Sequence, residues 1–464
     1  MCRFHGVDPS AASPATGRAF GRRALLAGAG GVLAAGTLSS VAAAVPRSLS
    51  RTWAIVGATV FDGVRPVSDA TVLISGDRVV RVGRRAAVPL PPNTDVVDGR
   101  GRFVIPGLIE AHHHLGGATF EERAANLSRL LGFGYTTVFD PFVSLANFAR
   151  LKEHSAAGAP SPRYLGTGPM LGSPGGWADF DLPETLVVTD PEHAFEVVGK
   201  LAEAGVDAVK AANDDWAWGR NRLATMPEDV QAAIVTAARR HGLKVFFHAP
   251  ARRLAAQALE AGAAGLLHGV LDEPVDREFV RLLGRTGASY VSTVVIFEVF
   301  GDVVDTVGRQ QAYDRQGLVP AATYDALRGP EAIAAIESLV DPAEVRSFLP
   351  TLRANVEPVS RSGANLTFGS DGGSFGEALG IGSQFELVRN GAAGLSPLRV
   401  LRGATLGAAR MLGRHDRGRL APGKLADLVI LSADPLADLT NLHFIDQVAR
   451  GGRLFDAADL LATR

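Results

Sequence analysis

Short apolar segments alternate with longer amphipathic segments through the middle of this chain, and this alternation restricts the folds open to it. Helical patterns such as Glu121–Leu131 and Pro227–His241 separate most of the apolar segments, which have the length and borders of buried strands. The eight candidate strands are Phe103–His112, Tyr135–Asp140, Arg163–Thr167, Ala208–Ala212, Lys244–His248, Gly265–His268, Ser289–Val295 and Asn365–Asp371. Repeated strand–helix units predict a parallel sheet with helical crossovers.

Eight such units fit an α/β fold of the (β/α)8 TIM-like barrel type. The alternative is a doubly wound open sheet, which needs a glycine-rich phosphate loop after its first strand. No such loop follows the first candidate strand, so the barrel is favoured. The segment from Phe297 to Ala354 is longer than one crossover helix requires, and it predicts either a lid or an oligomer contact.

A different pattern occupies both ends of the body of the chain. Residues 52–102 consist of short alternating segments punctuated by Gly and Asp, and residues 411–464 return to the same pattern. A β unit divided in this way usually closes into one domain. We therefore expect a small β-sandwich, built from both ends, beside a barrel at residues 103–410.

Residues 1–45 have the pattern of an export signal. Arg22 and Arg23 precede the uncharged stretch Ala24–Val45, which contains the cleavage-site-like run Ala42–Ala44. The adjacent arginines are typical of a twin-arginine signal, so we expect an extracellular or periplasmic protein. An uncleaved membrane anchor is the alternative, because the stretch is just long enough to span a bilayer. Its Ala- and Gly-rich composition favours export over a stable anchor.

Charge and cysteine content exclude several classes of protein. Lys and Arg number 47 against 48 Asp and Glu, which leaves no overall basic surface for nucleic acid. Cys2 is the single cysteine, so the folded body can form neither a disulfide framework nor a thiolate metal cluster. Any metal ion must therefore be bound through nitrogen and oxygen atoms.

Polar residues with metal-binding chemistry follow the candidate strands, where the active sites of (β/α)8 barrels lie. His112 and His114 share one side of an extended segment, because side chains alternate along a strand. Lys210 is one of only five lysines, and it ends an apolar strand. A neutral lysine amine can capture carbon dioxide and become an anionic carbamate, but an ordinary buried ion pair is an equal alternative. Further such residues are His248, His268 and Asp371.

The segments VIPGLIEAHHHLG, GVDAVK, VFFHA, AGAAGLLHG and LTFGSD together resemble the amidohydrolase superfamily, and the tail from Leu401 onwards is similar to its closing segment. The chain looks closest to the binuclear prolidase-like and imidazolonepropionase-like branch with a carboxylated lysine. The resemblance implies two divalent metal ions, ~3.5–4 Å apart, that share a hydroxide which attacks the substrate. Zinc is favoured, with manganese, iron or cobalt left open. The implied ligands are His112, His114 and Asp371 for one metal, His248 and His268 for the second, and a carbamate on Lys210 between them; Asp371 and His268 are the implied catalytic residues.

The expected function is that of an exported, metal-dependent amidohydrolase that cleaves an amide-like C–N bond in a dipeptide or an N-acyl amino acid. One alternative is a mononuclear deaminase or cyclic-amide hydrolase with an unmodified lysine, and another is a non-catalytic binding protein. The expected partner is a small-molecule substrate, and a homo-oligomer stays open. Candidate substrate-binding residues are Trp216, Trp218, Arg220 and Tyr290; the arginine would bind a substrate carboxylate.

Overall fold

Strands followed by helices make up most of the chain in a computed structural model, which describes residues 49, 51–177, 185–215, 223–373 and 375–462. The strands are β1 (Thr52–Phe61), β2 (Pro66–Ser75), β3 (Arg78–Arg84), β4 (Asp95–Asp98), β5 (Phe103–Pro106), β6 (Leu108–Glu110), β7 (Tyr135–Asp140), β8 (Arg163–Gly166), β9 (Met170–Gly172), β10 (Thr185–Val187), β11 (Val209–Ala212), β12 (Val245–His248), β13 (Gly265–Leu266), β14 (Ser289–Ser292), β15 (Asn365–Phe368), β16 (Leu428–Leu431), β17 (Ile445–Arg450) and β18 (Arg453–Asp456). The helices are α1 (Phe120–Gly132), α2 (Leu145–Ala156), α3 (Pro191–Glu203), α4 (Glu228–Arg240), α5 (Arg252–Glu260), α6 (Arg277–Thr286), α7 (Val294–Gly301), α8 (Val303–Tyr313), α9 (Ala321–Leu327), α10 (Pro330–Leu339), α11 (Pro342–Arg361), α12 (Ile381–Ala392), α13 (Pro397–Arg402), α14 (Ala408–Met411) and α15 (Ala457–Ala462).

Strands from both ends of the chain meet in one eight-stranded sheet. Its order is β18-β17-β16-β5-β1-β2-β3, and β4 pairs with β1. Trp53, Ile55, Leu428 and Ile430 are buried in the core of this sheet, so the two ends of the chain share one apolar cluster. The two terminal β segments seen in the sequence therefore belong together.

The first candidate strand, Phe103–His112, is divided between two sheets, which corrects the prediction of one continuous strand. β5 pairs with β1 and β16 in the terminal sheet, whereas β6 pairs in parallel with β7. The chain passes from one sheet to the other at Gly107, where any side chain would overlap Thr136. Both halves are apolar and buried, so hydrophobicity alone did not separate them.

The strands in the middle of the chain are parallel and lie in two groups. One has the order β6-β7-β8, and the other has the order β10-β9-β11-β12-β13-β14-β15. Backbone hydrogen bonds join the groups at both places where the ladder is interrupted. Ala111 N donates to Phe368 O over 3.2 Å, and Asp207 N donates to Gly166 O over 2.9 Å. The parallel α/β architecture is thus observed, with two groups rather than one continuous ladder in the described part of the chain.

A layer of apolar side chains lies between these strands, below their carboxyl ends. It contains Ile109, Phe139, Leu165, Ala208, Phe246, Leu267 and Val291. Lys210 and His248 follow Ala208 and Phe246 by two residues, so side-chain alternation places them on the same side of their strands. The layer therefore separates the interior from the polar groups at the strand ends.

Helix α1 holds the segment that follows β6. A capping box begins this helix, because Thr119 Oγ1 accepts from Glu122 N over 3.2 Å and the Glu122 carboxylate accepts from Thr119 N over 3.1 Å. One turn later, the Arg123 guanidinium donates to Leu115 O over 2.7 Å. These contacts fix the chain directly after His114.

The seventh candidate strand, predicted as Ser289–Val295, ends at Ser292, and helix α7 begins at Val294. Every residue of α7 is buried, because helices α8, α11 and α12 pack around it. The long segment before β15 thus consists of helices that cover α7; its use as a lid or an oligomer contact stays a prediction. Within the described ranges, no helix has the length and apolar character needed to span a membrane.

Candidate active site

His112 and His114 converge with Asp371 at the carboxyl ends of β6 and β15. The Nε2 atoms of the two imidazoles lie 3.1 and 3.0 Å from Asp371 Oδ1. Reciprocal backbone hydrogen bonds join the two segments, from Asp371 N to His112 O over 2.8 Å and from His114 N to Gly372 O over 2.8 Å. One ligand atom from each of the three side chains lies within 4.8 Å of the others. The first ligand set implied by the resemblance is therefore brought together.

Further contacts orient these two imidazoles. His112 Nδ1 lies 2.9 Å from Leu267 O, and since a carbonyl only accepts, the proton is on Nδ1 and Nε2 keeps its lone pair. His114 Nδ1 lies 3.4 Å from Asp140 Oδ1, whose carboxylate also accepts from the Tyr164 hydroxyl over 3.0 Å. In a metal-binding imidazole, the ring nitrogen that does not bind the metal is usually hydrogen-bonded to a carbonyl or a carboxylate. This donor set fits a divalent metal ion.

The protonation of this group suits a cation. Burial lowers the pKa of His112 to about 4, so its ring is neutral at pH 7. Burial raises the pKa of Asp371, but the neighbouring imidazoles of His112 and His114 outweigh it and hold the pKa well below the usual value. Asp371 also has a left-handed backbone with φ of 56°, which is strained for any residue other than glycine. Burial lowers the pKa of His114, but its hydrogen bonds to Asp140 and Asp371 outweigh burial and raise the pKa above its ordinary value. The site thus combines a neutral His112, a more basic His114 and an ionised carboxylate.

His248 and His268 form the second pair, at the ends of β12 and β13. Their ring centroids lie 4.5 Å apart, and the His268 ring lies 4.9 Å from that of His112. His248 Nε2 is 3.1 Å from Asp214 Oδ2, and His268 Nδ1 is 2.9 Å from the Thr293 hydroxyl. These contacts hold each ring through one nitrogen. The structure therefore places the second pair beside the first, although the tight three-residue group does not include it.

Lys210 is buried within β11, beside the histidines. Burial lowers the pKa of its amine to about 8, although Asp371 and Asp140 act in the opposite direction. In the part of the chain that the structure describes, no carboxylate oxygen lies within the 4.0 Å ion-pair distance of Nζ. The ordinary buried ion pair that the sequence left open is thus not seen among these residues. The nearest aromatic contact is with Phe142, whose ring centroid lies 5.9 Å from Nζ.

Several residues around the site were not identified from the sequence. Asp140 ends β7 and supports His114, and Asp214 follows β11 and supports His248. Their position at strand ends was the available signal. Glu110 is a further supporting residue, beside the ligands. Its Oε1 accepts from His112 N over 3.2 Å and from Ser370 N over 3.0 Å, so one oxygen joins both ligand-bearing segments.

The candidate substrate-binding residues have different outcomes. Tyr290 is fully buried on the side of β14 that faces the helices, and its hydroxyl accepts from Val270 N over 2.6 Å. This geometry places Tyr290 as a support for the loop after β13 rather than beside the imidazoles. Trp216, Trp218 and Arg220 lie outside the described residues, so their role stays a prediction.

Comparison with known proteins identifies the class. Residues 103–455 match the model of the Amidohydrolase family, and the chain belongs to this family. It is 23% identical to imidazolonepropionase from Idiomarina loihiensis, over 81% of this chain and 88% of the relative. Identity to imidazolonepropionase from Streptomyces griseus is 26%, over 83% of this chain and 92% of the relative.

Solved structures share the fold. A Xaa-Pro dipeptidase with bound methionine superposes with a TM-score of 0.71 at 21% identity, covering 87% of this chain and 100% of the other. A protein described as a prolidase from Bifidobacterium longum superposes with a TM-score of 0.71 at 24% identity, covering 88% of this chain and 95% of the other. These structures show that the fold is shared, and the family match makes the chain an amidohydrolase, a hydrolase acting on C–N bonds.

Proposed function

We propose that this chain is a two-metal amidohydrolase that cleaves the C–N bond of a dipeptide or an N-acyl amino acid. The observation that carries the proposal is the convergence of His112 Nε2 and His114 Nε2 on Asp371 Oδ1, next to two further imidazoles. His112, His114 and Asp371 would hold one metal ion, His248 and His268 the other, and a carbamate on Lys210 would lie between them. The bound metal ions supply Lewis acidity for the substrate carbonyl and an activated water.

The residues of the chain provide the proton transfer and the orientation. Asp371 is ionised and retains 14% side-chain exposure, so its carboxylate can accept a proton from the attacking water. It then delivers this proton to the leaving nitrogen. Thr293 orients His268, and Asp214 orients His248. These contacts keep the reacting groups in place and avoid reorganisation during the reaction.

The carbamate proposal rests on the environment of Lys210. Carbon dioxide reacts with a neutral amine, and burial lowers the pKa of this lysine to about 8, which increases the neutral fraction at neutral pH. The amine nitrogen bonds to the carbon of carbon dioxide and releases one proton to solvent. The resulting anion has two oxygens, which matches a position between two cations. The absence of a described ion-pair partner within 4.0 Å leaves the amine available for this modification.

A second candidate function is a mononuclear deaminase or cyclic-amide hydrolase. It is favoured by the tight group His112, His114 and Asp371, which accounts for one metal ion and not for two. The relatives include imidazolonepropionases and an adenine deaminase from Desulforamulus reducens, of which this chain spans 55% at 23% identity. In this case the amine of Lys210 would remain unmodified.

Metal content distinguishes the two candidates. The full chain is produced without chelators in medium containing bicarbonate, and the metal per folded chain is measured by elemental analysis. A value close to two supports the bridged centre, and a value close to one supports the mononuclear alternative.

Lys210→Ala should lose the second metal and regain part of its activity with an added short carboxylic acid. Lys200→Ala, at a lysine paired with Glu196 on the surface, is the matched control. Two metals and full activity in Lys210→Ala would contradict the carbamate.

We further interpret the two groups of parallel strands as one (β/α)8 barrel, beside a β-sandwich built from residues 52–102 and 411–464. The hydrogen bonds from Ala111 N to Phe368 O and from Asp207 N to Gly166 O support closure, because they lie at both interruptions of the ladder. The apolar layer shared by the strands supports it as well.

We also propose that a twin-arginine-type signal at residues 1–45 directs export. This segment lies outside the described residues, and its sequence pattern is the support. Replacement of Arg22 and Arg23 by lysine should retain the protein inside the cell. Unchanged export of that double variant would contradict a twin-arginine route.

A further inference from the structure

The turn that follows β15 holds Asp371 in an uncommon backbone conformation. Asp371 has φ of 56° and Gly373 has φ of 79°, so both residues lie in the left-handed region, which is costly for an aspartate. A residue keeps such a conformation only where the surrounding contacts impose it. The contacts that hold this turn therefore determine the direction of the Asp371 carboxylate.

Glu377 makes one of these contacts. Its Oε2 accepts from Gly373 N over 2.8 Å, and its Oε1 accepts from the Ser383 hydroxyl over 3.1 Å. The carboxylate lies directly against the backbone of the turn, because a Cβ at Gly372 would overlap Oε2. Since the side chain retains only 2% exposure, water does not compete for these hydrogen bonds. Glu377 thus joins the turn after β15 to helix α12.

Helix α8 fixes the backbone immediately before and after Glu377. The side chain of Gln310, on this helix, is fully buried. Its Nε2 donates to Gly376 O over 3.0 Å, and its Oε1 accepts from Ala378 N over 3.0 Å. The position of the Glu377 carboxylate therefore depends on α8, which belongs to the long segment before β15.

The turn and the carboxylate also meet the histidine segment. Gly372 O accepts from His114 N over 2.8 Å, so the turn is bonded to a ligand-bearing residue. His113 Nε2 lies 3.5 Å from Glu377 Oε2, which is longer than an ordinary N–H···O hydrogen bond. The contact with Gly373 N, at 2.8 Å, is the closer of the two contacts of this oxygen.

We propose that Glu377 is a positioning residue that holds the Asp371 carboxylate in the orientation required for metal binding and proton transfer. It acts through the hydrogen bond to Gly373 N, and Gln310 keeps it in place. Its role rests on the proposed function of Asp371, to which it adds the residue that orients the carboxylate. Helix α8 thereby has a supporting function at the site.

Three substitutions at Glu377 separate geometry from charge. Glu377→Gln keeps an oxygen that accepts from Gly373 N, so it should retain the Zn²⁺ affinity and the kcat of the unaltered protein. Glu377→Leu removes the acceptor and should bind Zn²⁺ roughly 10- to 100-fold more weakly in a chelator competition. Glu377→Asp keeps the charge but shortens the side chain by one methylene group, and it should show a smaller loss.

Turnover provides a second measurement, with a dipeptide or an N-acyl amino acid that the unaltered protein cleaves. At saturating metal, Glu377→Leu should lower kcat roughly 100-fold at unchanged KM, because a displacement of about 1 Å in a reacting group has an effect of this size. A loss of folded protein would lower the apparent kcat of every variant in proportion to its instability. The folded fraction of each variant is therefore measured in parallel.

A matched control distinguishes positioning from general destabilisation. Asp427→Leu removes a carboxylate with the same 2% exposure, which accepts from Gly451 N over 2.7 Å in the part of the protein built from the chain ends. It should lower the urea midpoint but leave Zn²⁺ affinity and kcat unchanged. The visible spectrum of bound Co²⁺ depends on the geometry of its ligands, so it should change in Glu377→Leu and stay the same in Asp427→Leu and Glu377→Gln.

A double-mutant cycle tests the contribution of α8. Gln310→Leu should weaken Zn²⁺ binding in the same direction as Glu377→Leu. The double variant should bind Zn²⁺ about as tightly as Glu377→Leu alone, because both side chains act through one contact. Additive losses would overturn the role given to Gln310.

The proposal for Glu377 is overturned if Glu377→Leu retains full Zn²⁺ affinity and the Co²⁺ spectrum, or if Asp427→Leu changes them equally. It is also overturned if Glu377→Gln is impaired and Glu377→Asp is not, which would assign the effect to charge beside His113. Should Glu377→Leu not fold, this comparison of glutamine with aspartate decides. An unaltered protein that cleaves neither dipeptides nor N-acyl amino acids would contradict the proposed function, and the metal measurements would still test Glu377.

Discussion

Glu110 offers the most informative single substitution, because one of its oxygens connects both halves of the candidate metal site. Oε1 accepts from His112 N over 3.2 Å and from Ser370 N over 3.0 Å, and the side chain is fully buried. Burial and the nearby Glu377 carboxylate raise the pKa of Glu110 well above its ordinary value. The native side chain is therefore the neutral acid over a wider pH range than an exposed glutamate. Glutamine has the same shape, the same oxygen and no charge.

These facts predict opposite outcomes for two replacements. Glu110→Gln keeps an acceptor for both backbone N–H groups and should change the free energy of unfolding by less than about 1 kcal/mol. Glu110→Leu leaves both buried donors without an acceptor, at about 1–3 kcal/mol each, which amounts to about 2–6 kcal/mol. Because the N–H groups belong to His112 and Ser370, the leucine variant should also bind metal roughly 10- to 100-fold more weakly, as outer-shell changes do.

Urea denaturation with and without chelator separates the effect on folding from the effect on metal binding. The pH dependence provides a second measurement. Since the folded-state pKa of Glu110 is raised, its contribution to stability is complete below the unfolded pKa and is lost as pH rises through the folded pKa. The glutamine variant should lack this loss. The reasoning is refuted if Glu110→Gln is as unstable as Glu110→Leu, or if Glu110→Leu unfolds at the same urea concentration as the unaltered protein.

Three further experiments test other parts of the structure. Asp140→Asn weakens the acceptor 3.4 Å from His114 Nδ1 and should lower metal affinity roughly 10- to 100-fold in a chelator competition; unchanged affinity would contradict the orienting role. Gly373→Ala should cost more stability than Gly287→Ala, because a Cβ at Gly373 would overlap His114 O whereas nothing lies within 4 Å at Gly287. Both glycines have positive φ, so Gly287→Ala should show only the backbone cost of about 1–2 kcal/mol in thermal unfolding, and equal losses would count against the overlap. Burial raises the pKa of Glu386 to about 8 from 4.5, so stability should fall as pH rises between these values; Glu386→Gln should flatten the midpoint-versus-pH curve, and a parallel curve would exclude the assignment.

Much of the fold was predictable from local pattern, and the errors occurred where packing decides. Apolar runs between amphipathic segments located the parallel strands, because strand and helix bury their residues with different periods. The division at Gly107 was not predictable, since both halves are apolar and only the partner strands distinguish them. The early end of strand seven at Ser292 was missed for the same reason: Val294–Gly301 is apolar except for Glu298 and becomes a helix because other helices bury it.

Which side chains can serve as ligands follows from residue type and strand pattern alone. Imidazole, carboxylate and amine groups are a matter of residue type, and the ends of parallel strands lie along one edge, so His112, His248 and Asp371 had to approach one another. How each of these side chains is held depends on the packing of the folded chain. Leu267 O sets the proton on His112, and the rings of Phe142 and Trp177 pack against His114 and His248, through contacts between residues far apart in the chain. Such contacts depend on distances of a few ångströms, which the order of residue types does not specify.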